Sequence, residues 1–242
     1  MKSRDLTAVT KDDLGEVVAA ARTRATDTYQ RLRRDILECR LRPGARLRAE
    51  ELCEKYGVGI SPLREALVRL SGDGLTVLRE HRGYHVAPVS KADLIDVTRM
   101  RIKLESAALA SSIANGDDEW ESRVVAAFHR LSKTEAFVEG ERILGQGWEQ
   151  RHREFHRTML EACGSPWLLT FRDTLYDHGE RYRRLSVQGP AVERPANVEH
   201  REIFDAVIAR DSERACWLLS EHIQRTTDSL LQQADPALFC DP

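Results

Sequence analysis

The sequence predicts a mainly α-helical protein in two parts. Three short helices closed by a β-hairpin come first, and an all-α antiparallel bundle follows. Three observations carry this expectation. Apolar residues recur at helical spacing along most of the chain. Two short β-prone runs flank a polar, glycine-containing connection between residues 75 and 86, and no strand pattern follows Val89. The composition is that of a packed chain: 242 residues, 41% apolar and 31% charged, with 8 Pro and 14 Gly, which excludes collagenous, Pro-rich or wholly disordered classes.

The elements follow in order. Residues 1–24 are polar and mixed, with one short helix expected near Leu14–Ala21, and form an N-terminal arm. Residues 25–89 form the first compact domain. Asp27 stands as a plausible N-cap before Leu32, Ile36 and Leu37 at helical spacing, and Pro43-Gly44 breaks that helix. A second helix spans about Ala49–Tyr56 and stops at Gly57. Ser61-Pro62 opens a third, with Pro62 at its first position and the stripe Leu63, Ala66, Leu67 and Leu70, ending at Gly72-Asp73-Gly74. The runs Leu75–Leu78 and Tyr84–Val86 then make the hairpin.

Residues 90–235 are expected to hold six helices. Ser90 with Asp93 reads as a capping box, opening a helix with the stripe Leu94, Val97, Arg101, Leu104 and Ala108 that ends at Asn115-Gly116. The next helices span about 117–138 and 147–163. Ser165-Pro166 opens the fourth, with the stripe Leu168, Phe171, Leu175, His178, Tyr182 and Leu185. Val187–Pro195, with two prolines, reads as a loop. The last two helices span about Ala196–Arg210 and Ser212–Gln233.

No window reaches the roughly 18 apolar residues of a membrane span, and Met1–Ala25 lacks the apolar core of a secretion signal. The five cysteines are scattered without a Cys-x-x-Cys pair, so neither a zinc ribbon nor a disulfide frame is expected. The expectation is a cytoplasmic protein with no membrane partner. Residues 1–90 carry 17 Lys and Arg against 13 Asp and Glu, whereas the remainder carries 20 against 26. A basic first third on an acidic body suits an end that faces a polyanion.

Three helices and a hairpin make a winged helix-turn-helix. Its third helix enters the major groove and its hairpin supplies a wing. Ile36–Gly44, Val58-Gly59-Ile60-Ser61-Pro62-Leu63-Arg64-Glu65-Ala66-Leu67, Gly74-Leu75 and Arg82-Gly83-Tyr84-His85-Val86 together resemble the DNA-binding domain of the GntR family of transcription factors. The resemblance implies operator DNA as a partner, bound by a homodimer. It points to Arg64, Ser61, Arg82 and Gly83 as DNA-contacting residues. Four positions depart from the family pattern. Ile60 and Glu50 stand where DNA-reading arginines are usual, Gly59 replaces a serine and Cys39 a glycine. The operator is therefore expected to differ from the common half-site. For Arg64 the competing reading is a salt bridge to Glu50, Glu51 or Glu54.

Four histidines of the acidic half fall on inward helix stripes. His152 and His156 lie one turn apart beside Trp148, Phe155 and Met159. His200 lies with Ile203 and Val207, and His222 with Leu218, Leu219 and Ile223. Buried neutral imidazoles need partners for both nitrogens. Four of them either satisfy one another's surroundings as core residues or share a divalent cation, and a nitrogen-rich set suits zinc first, with nickel or iron as alternatives. Enzyme readings fail on spacing. His152-Arg153-Glu154-Phe155-His156 sets its glutamate one position late for a zincin, and a single Glu149-x-x-His152 is too few for a di-iron bundle.

Arg101-Ile102-Lys103-Leu104-Glu105, Glu154-Phe155-His156, His200–Val207 with Arg210-Asp211, and His222-Ile223 resemble the FCD effector domain of the FadR subfamily of GntR regulators. Such domains often hold a metal with three histidines and one aspartate. The resemblance matches the histidines to His156, His200 and His222, and puts His152 where the aspartate is usual. It also implies a small organic acid bound beside the metal. Arg101, in mid-stripe, would clamp that acid or else pair with an internal carboxylate. His178 and Tyr182 are weaker candidates for the same pocket. The function implied is a ligand-responsive transcriptional regulator, usually a repressor in this family. A metal-dependent enzyme and a metal sensor are the alternatives.

Overall fold

A computed structural model describes residues 11–134, 145–186, 196–233 and 239, with side chains from residue 24 onward except at 146, 186, 196 and 233. The chain divides into two compact units at Pro88–Val89. In the first, α1 (Lys11–Leu37), α2 (Ala49–Tyr56) and α3 (Ile60–Gly72) precede a hairpin of β1 (Thr76–Arg79) and β2 (Gly83–Val86). The strands are antiparallel, with Thr76 opposite Val86 and Arg79 opposite Gly83. Leu32 and Ile36 of α1, Leu52 and Tyr56 of α2, and Leu63, Ala66, Leu67 and Leu70 of α3 close one core with Leu75 and Val86.

Two local expectations are corrected here. Asp27 is not an N-cap, because α1 runs unbroken from Lys11 through it. Between Lys11 and Asp27 there is no proline and a single glycine, Gly15, so nothing breaks the helix before Asp27. Pro62 lies at the third position of α3, because Gly59 is the N-cap and Ile60 begins the helix. The first turn tolerates proline there, since its amide has no intrahelical acceptor. At the end of α2, Gly57 takes the left-handed conformation (φ 66°) and its N–H reaches back to the last turn.

The second unit comprises α4 (Lys91–Asn115), α5 (Asp118–Ser132), α6 (Gln146–Leu160), α7 (Pro166–Ser186), α8 (Ala196–Ile208) and α9 (Ser212–Gln233), with a 3₁₀ turn at Glu161–Cys163. Caps set the boundaries. Ser90 accepts from the Asp93 N–H at 3.1 Å, and Asp117 accepts from the Trp120 N–H at 2.8 Å. Arg210, itself left-handed (φ 58°), donates to the carbonyls of Ile113 and Gly116 and ties the α8–α9 turn to the end of α4. Helix α4 packs against α7 and α9, α5 against α6, and α8 against α9. The core runs through Leu109, Trp120, Phe128, Phe155, Ile203 and Leu219. The second bundle helix, expected to reach 138, ends at Ser132 with Lys133 as its C-cap, and the expected loop at 187–195 lies outside the described residues. Among the described residues no helix is long and apolar enough to cross a membrane.

Candidate functional site

Helix α6 carries His152 and His156 one turn apart, α8 carries His200 and α9 carries His222. The four rings converge in the core of the second unit, each offering a nitrogen, and those atoms all lie within 4.8 Å of one another. Ring centroids are 4.5 Å apart for His152 and His156, 4.7 Å for His200 and His222, and 5.1 Å for His156 and His222. His156 and His200 are 1% exposed, so solvent does not satisfy them.

Hydrogen bonds orient two of the rings. His222 Nδ1 meets the buried Glu199 carboxylate at 2.8 Å, and His152 Nδ1 meets the Tyr176 hydroxyl at 2.9 Å. Each contact leaves Nε2 as the remaining nitrogen. Trp148 stacks on His152 with centroids 4.6 Å apart. Both nitrogens of His156 are buried without a hydrogen-bond partner. Burial, then the neighbouring imidazoles, hold the pKa values of His152 and His156 well below the ordinary histidine value. The two rings are neutral at physiological pH and keep lone pairs available. An orphaned pair of buried nitrogens among neutral imidazoles fits a divalent cation and fits a plain apolar core poorly.

A charged layer adjoins the cluster. The face of Tyr176 carries the guanidiniums of Arg172, Arg153 and Arg101, at 4.2, 4.6 and 5.0 Å from its centroid. Arg101 Nε donates to Glu105 at 2.8 Å, and Arg172 Nη2 lies 3.8 Å from the other oxygen of the same carboxylate. Arg172 is fully buried, and its Nε and Nη2 lack hydrogen-bond partners, as does Glu105 Oε2. Arg153 pairs with Asp177, while Arg183 pairs with Glu180 and Glu149. Arg101 thus has an internal carboxylate partner and also reaches the edge of this layer.

Of the other pocket candidates, Tyr182 is engaged at the start of α4. The Tyr182 hydroxyl donates to Asp93 at 2.6 Å and accepts from the Ser90 N–H at 3.1 Å, so it completes the cap of α4. It takes the place of the reciprocal bond expected of a capping box. His178 is half-buried on α7. Sequence reasoning gave no role to Arg172 or Tyr176 and did not single out Glu105 as the carboxylate for Arg101, although both pairs stand at i, i+4 spacing.

In the first unit Ser61 and Arg64 are exposed on α3, and Arg82 and Gly83 are exposed at the tip of the hairpin. Arg64 makes no ion pair among the described residues, and Glu51 pairs instead with Arg48 at 2.9 Å.

Comparison with known proteins agrees with this arrangement. Residues 24–86 match the model for bacterial regulatory proteins of the gntR family, and residues 96–225 match the FCD domain. The chain is 40% identical over 216 residues to the HTH-type transcriptional regulator BphR of Paraburkholderia xenovorans, covering 89% of this chain and 88% of that one. It is 36% identical over 212 residues to the HTH-type transcriptional repressor GlaR of Escherichia coli, covering 86% and 96% respectively. Escherichia coli McbR/YncC shares the fold, with a TM-score of 0.71 at 22% identity over 86% of this chain and 97% of that one. Families and relatives alike are regulators and not enzymes. With its winged helix-turn-helix and its helical second unit, the chain belongs to the gntR family of DNA-binding transcriptional regulators, in the group that carries an FCD domain.

Proposed function

We infer that the protein is a homodimeric repressor whose DNA affinity responds to a small organic acid bound beside a divalent metal. The observation that carries this reading is the buried cluster of His152, His156, His200 and His222, drawn from three helices with ligand atoms within 4.8 Å of one another. These four side chains hold the ion, zinc by preference, with nickel or iron as alternatives. When bound, the ion supplies positive charge and a position open to an oxygen ligand. Arg101 and the Nε and Nη2 of Arg172, which make no hydrogen bond within the protein, supply the donors for a carboxylate. Glu105 spaces the two guanidiniums and limits their charge before the acid arrives. Arg64 and Ser61 on α3, with Arg82 and Gly83 on the wing, face the operator. A repressor among the relatives supports the sign of regulation. The acid changes operator affinity only as far as it binds the two states of the dimer unequally.

Metal analysis of the full chain, followed by operator titrations against a panel of small carboxylates, tests the reading. One ion per chain is expected, with a carboxylate that weakens operator binding. His200→Ala loses ion and response together, whereas Arg101→Ala keeps the ion and loses the response. A chain that holds no metal after metal-replete preparation overturns the centre.

A further inference from the structure

The first turn of α3 is built in a way that the fold does not require. Ile60 opens the helix and is 53% exposed, although apolar contacts are available to Leu63 and Leu67 on the inward side. Arg64 follows one turn later on a neighbouring line of the helix, also exposed, and Ser61 lies between them. The preceding Gly59 has φ −78° and ψ 170°, a conformation open to any residue. A Cβ built there would meet only Pro62 Cδ, at 4.0 Å. Neither backbone strain nor packing therefore demands glycine at 59 or isoleucine at 60. What these residues shape is the outer surface at the N-terminal end of the helix that follows the α2–α3 turn. In a helix-turn-helix this is the end whose side chains meet base edges.

An isoleucine can neither donate nor accept a hydrogen bond. The thymine C5-methyl is the apolar feature that a standard base pair presents in the major groove. We propose that Ile60 reads a thymine by packing on its 5-methyl group, and that the missing side chain of Gly59 lets the start of α3 come close to the groove. Arg64, one turn further on, serves the adjoining base or phosphate. This proposal rests on α3 being the reading helix, and it adds the base that the first turn selects. It also gives a physical reason for an operator that differs from the half-site read by arginine at this position.

The experiment uses the full chain and a duplex recovered by selection from random DNA. Each thymidine of that duplex is replaced in turn by deoxyuridine, which removes only the methyl group. One thymidine in each half-site is expected to show about a fourfold loss of affinity per methyl, the value of one buried methyl-sized group. Ile60→Ala is expected to bind the selected duplex more weakly and to bind the deoxyuridine duplex equally well, with an unchanged melting temperature because the side chain is exposed. Ile60→Arg is expected to select guanine in place of that thymine. Wild-type binding that is indifferent to every methyl, or an Ile60→Ala chain that still discriminates thymidine from deoxyuridine, overturns the proposal. A chain that enriches no duplex overturns it together with the role of α3, a result distinct from methyl-indifferent binding.

Discussion

Asp35 gathers donors from both ends of the first unit. Its carboxylate accepts from the Tyr56 hydroxyl at 2.6 Å and from Lys55 at 2.8 Å, and Arg40 donates to its other oxygen at 2.7 Å. Burial pushes this carboxyl up, but the hydrogen bonds from Lys55 and Tyr56 and the charges of Lys55 and Arg40 outweigh it, so its pKa lies below the ordinary aspartate value. A depressed folded-state pKa stabilises the fold above the unfolded pKa, and that stability is lost as pH falls through the folded value. The first unit should accordingly lose stability below about pH 4. Asp35→Asn should cost about 1.5–3 kcal/mol at neutral pH and remove most of that acid sensitivity. Thermal melts from pH 6 to pH 3 on both chains check this, and equal acid sensitivity would count against it. Histidines on apolar stripes made the metal candidates legible from sequence, because an imidazole among leucines breaks an expected pattern. Arg172 was not legible, because its burial depends on Glu105 in a distant helix, whereas the Arg101–Glu105 pair is local, one turn apart on α4.

Helix α7 shows the same difference at the level of an element. Its length and its start at Pro166 were readable, and so was part of its inward face, where Tyr182 and Leu185 are buried. The apolar reading placed Phe171 inside, but Phe171 is 56% exposed and stacks on Trp167, itself 73% exposed. The buried face carries Arg172, Tyr176 and Glu180 instead: Arg172 lies against Glu105 of α4, the Tyr176 hydroxyl meets His152 of α6, and Glu180 pairs with Arg183 of the same helix. Gly179 lies in mid-helix on this element, where glycine costs about 1 kcal/mol relative to alanine. A Cβ at 179 would stand 2.9 Å from Arg101 Nη1, so the glycine leaves room for that guanidinium. Gly179→Ala should raise or preserve the melting temperature while weakening the carboxylate response by displacing Arg101. Melting curves and carboxylate titrations of operator binding together check this. An unchanged response in a folded variant would remove Arg101 from the effector pocket.

Over the whole molecule, each unit has a core of its own, and this separates what the metal should stabilise from what it should leave alone. The proposed ligands come from α6, α8 and α9, all within the second unit, so a bound ion cross-links three helices whose sequence positions are far apart. A ligand that binds only the folded state stabilises it by about 2.7 kcal/mol when its free concentration is a hundredfold above Kd. For a unit of this size that corresponds to a melting shift of about 5–10 °C. All four tryptophans, Trp120, Trp148, Trp167 and Trp217, lie in the second unit, so tryptophan fluorescence follows its unfolding alone. Adding a chelator to the metal-loaded chain should lower the fluorescence melting temperature by that amount. The Tyr56 and Asp35 contacts of the first unit owe nothing to the histidines, so a far-UV circular dichroism phase from the winged helix should persist at its original temperature. His200→Ala should melt at the chelated temperature with or without metal. If chelation instead lowers both transitions equally, the ion's influence extends beyond the three-helix cross-link, and the assignment of its effect to α6, α8 and α9 fails.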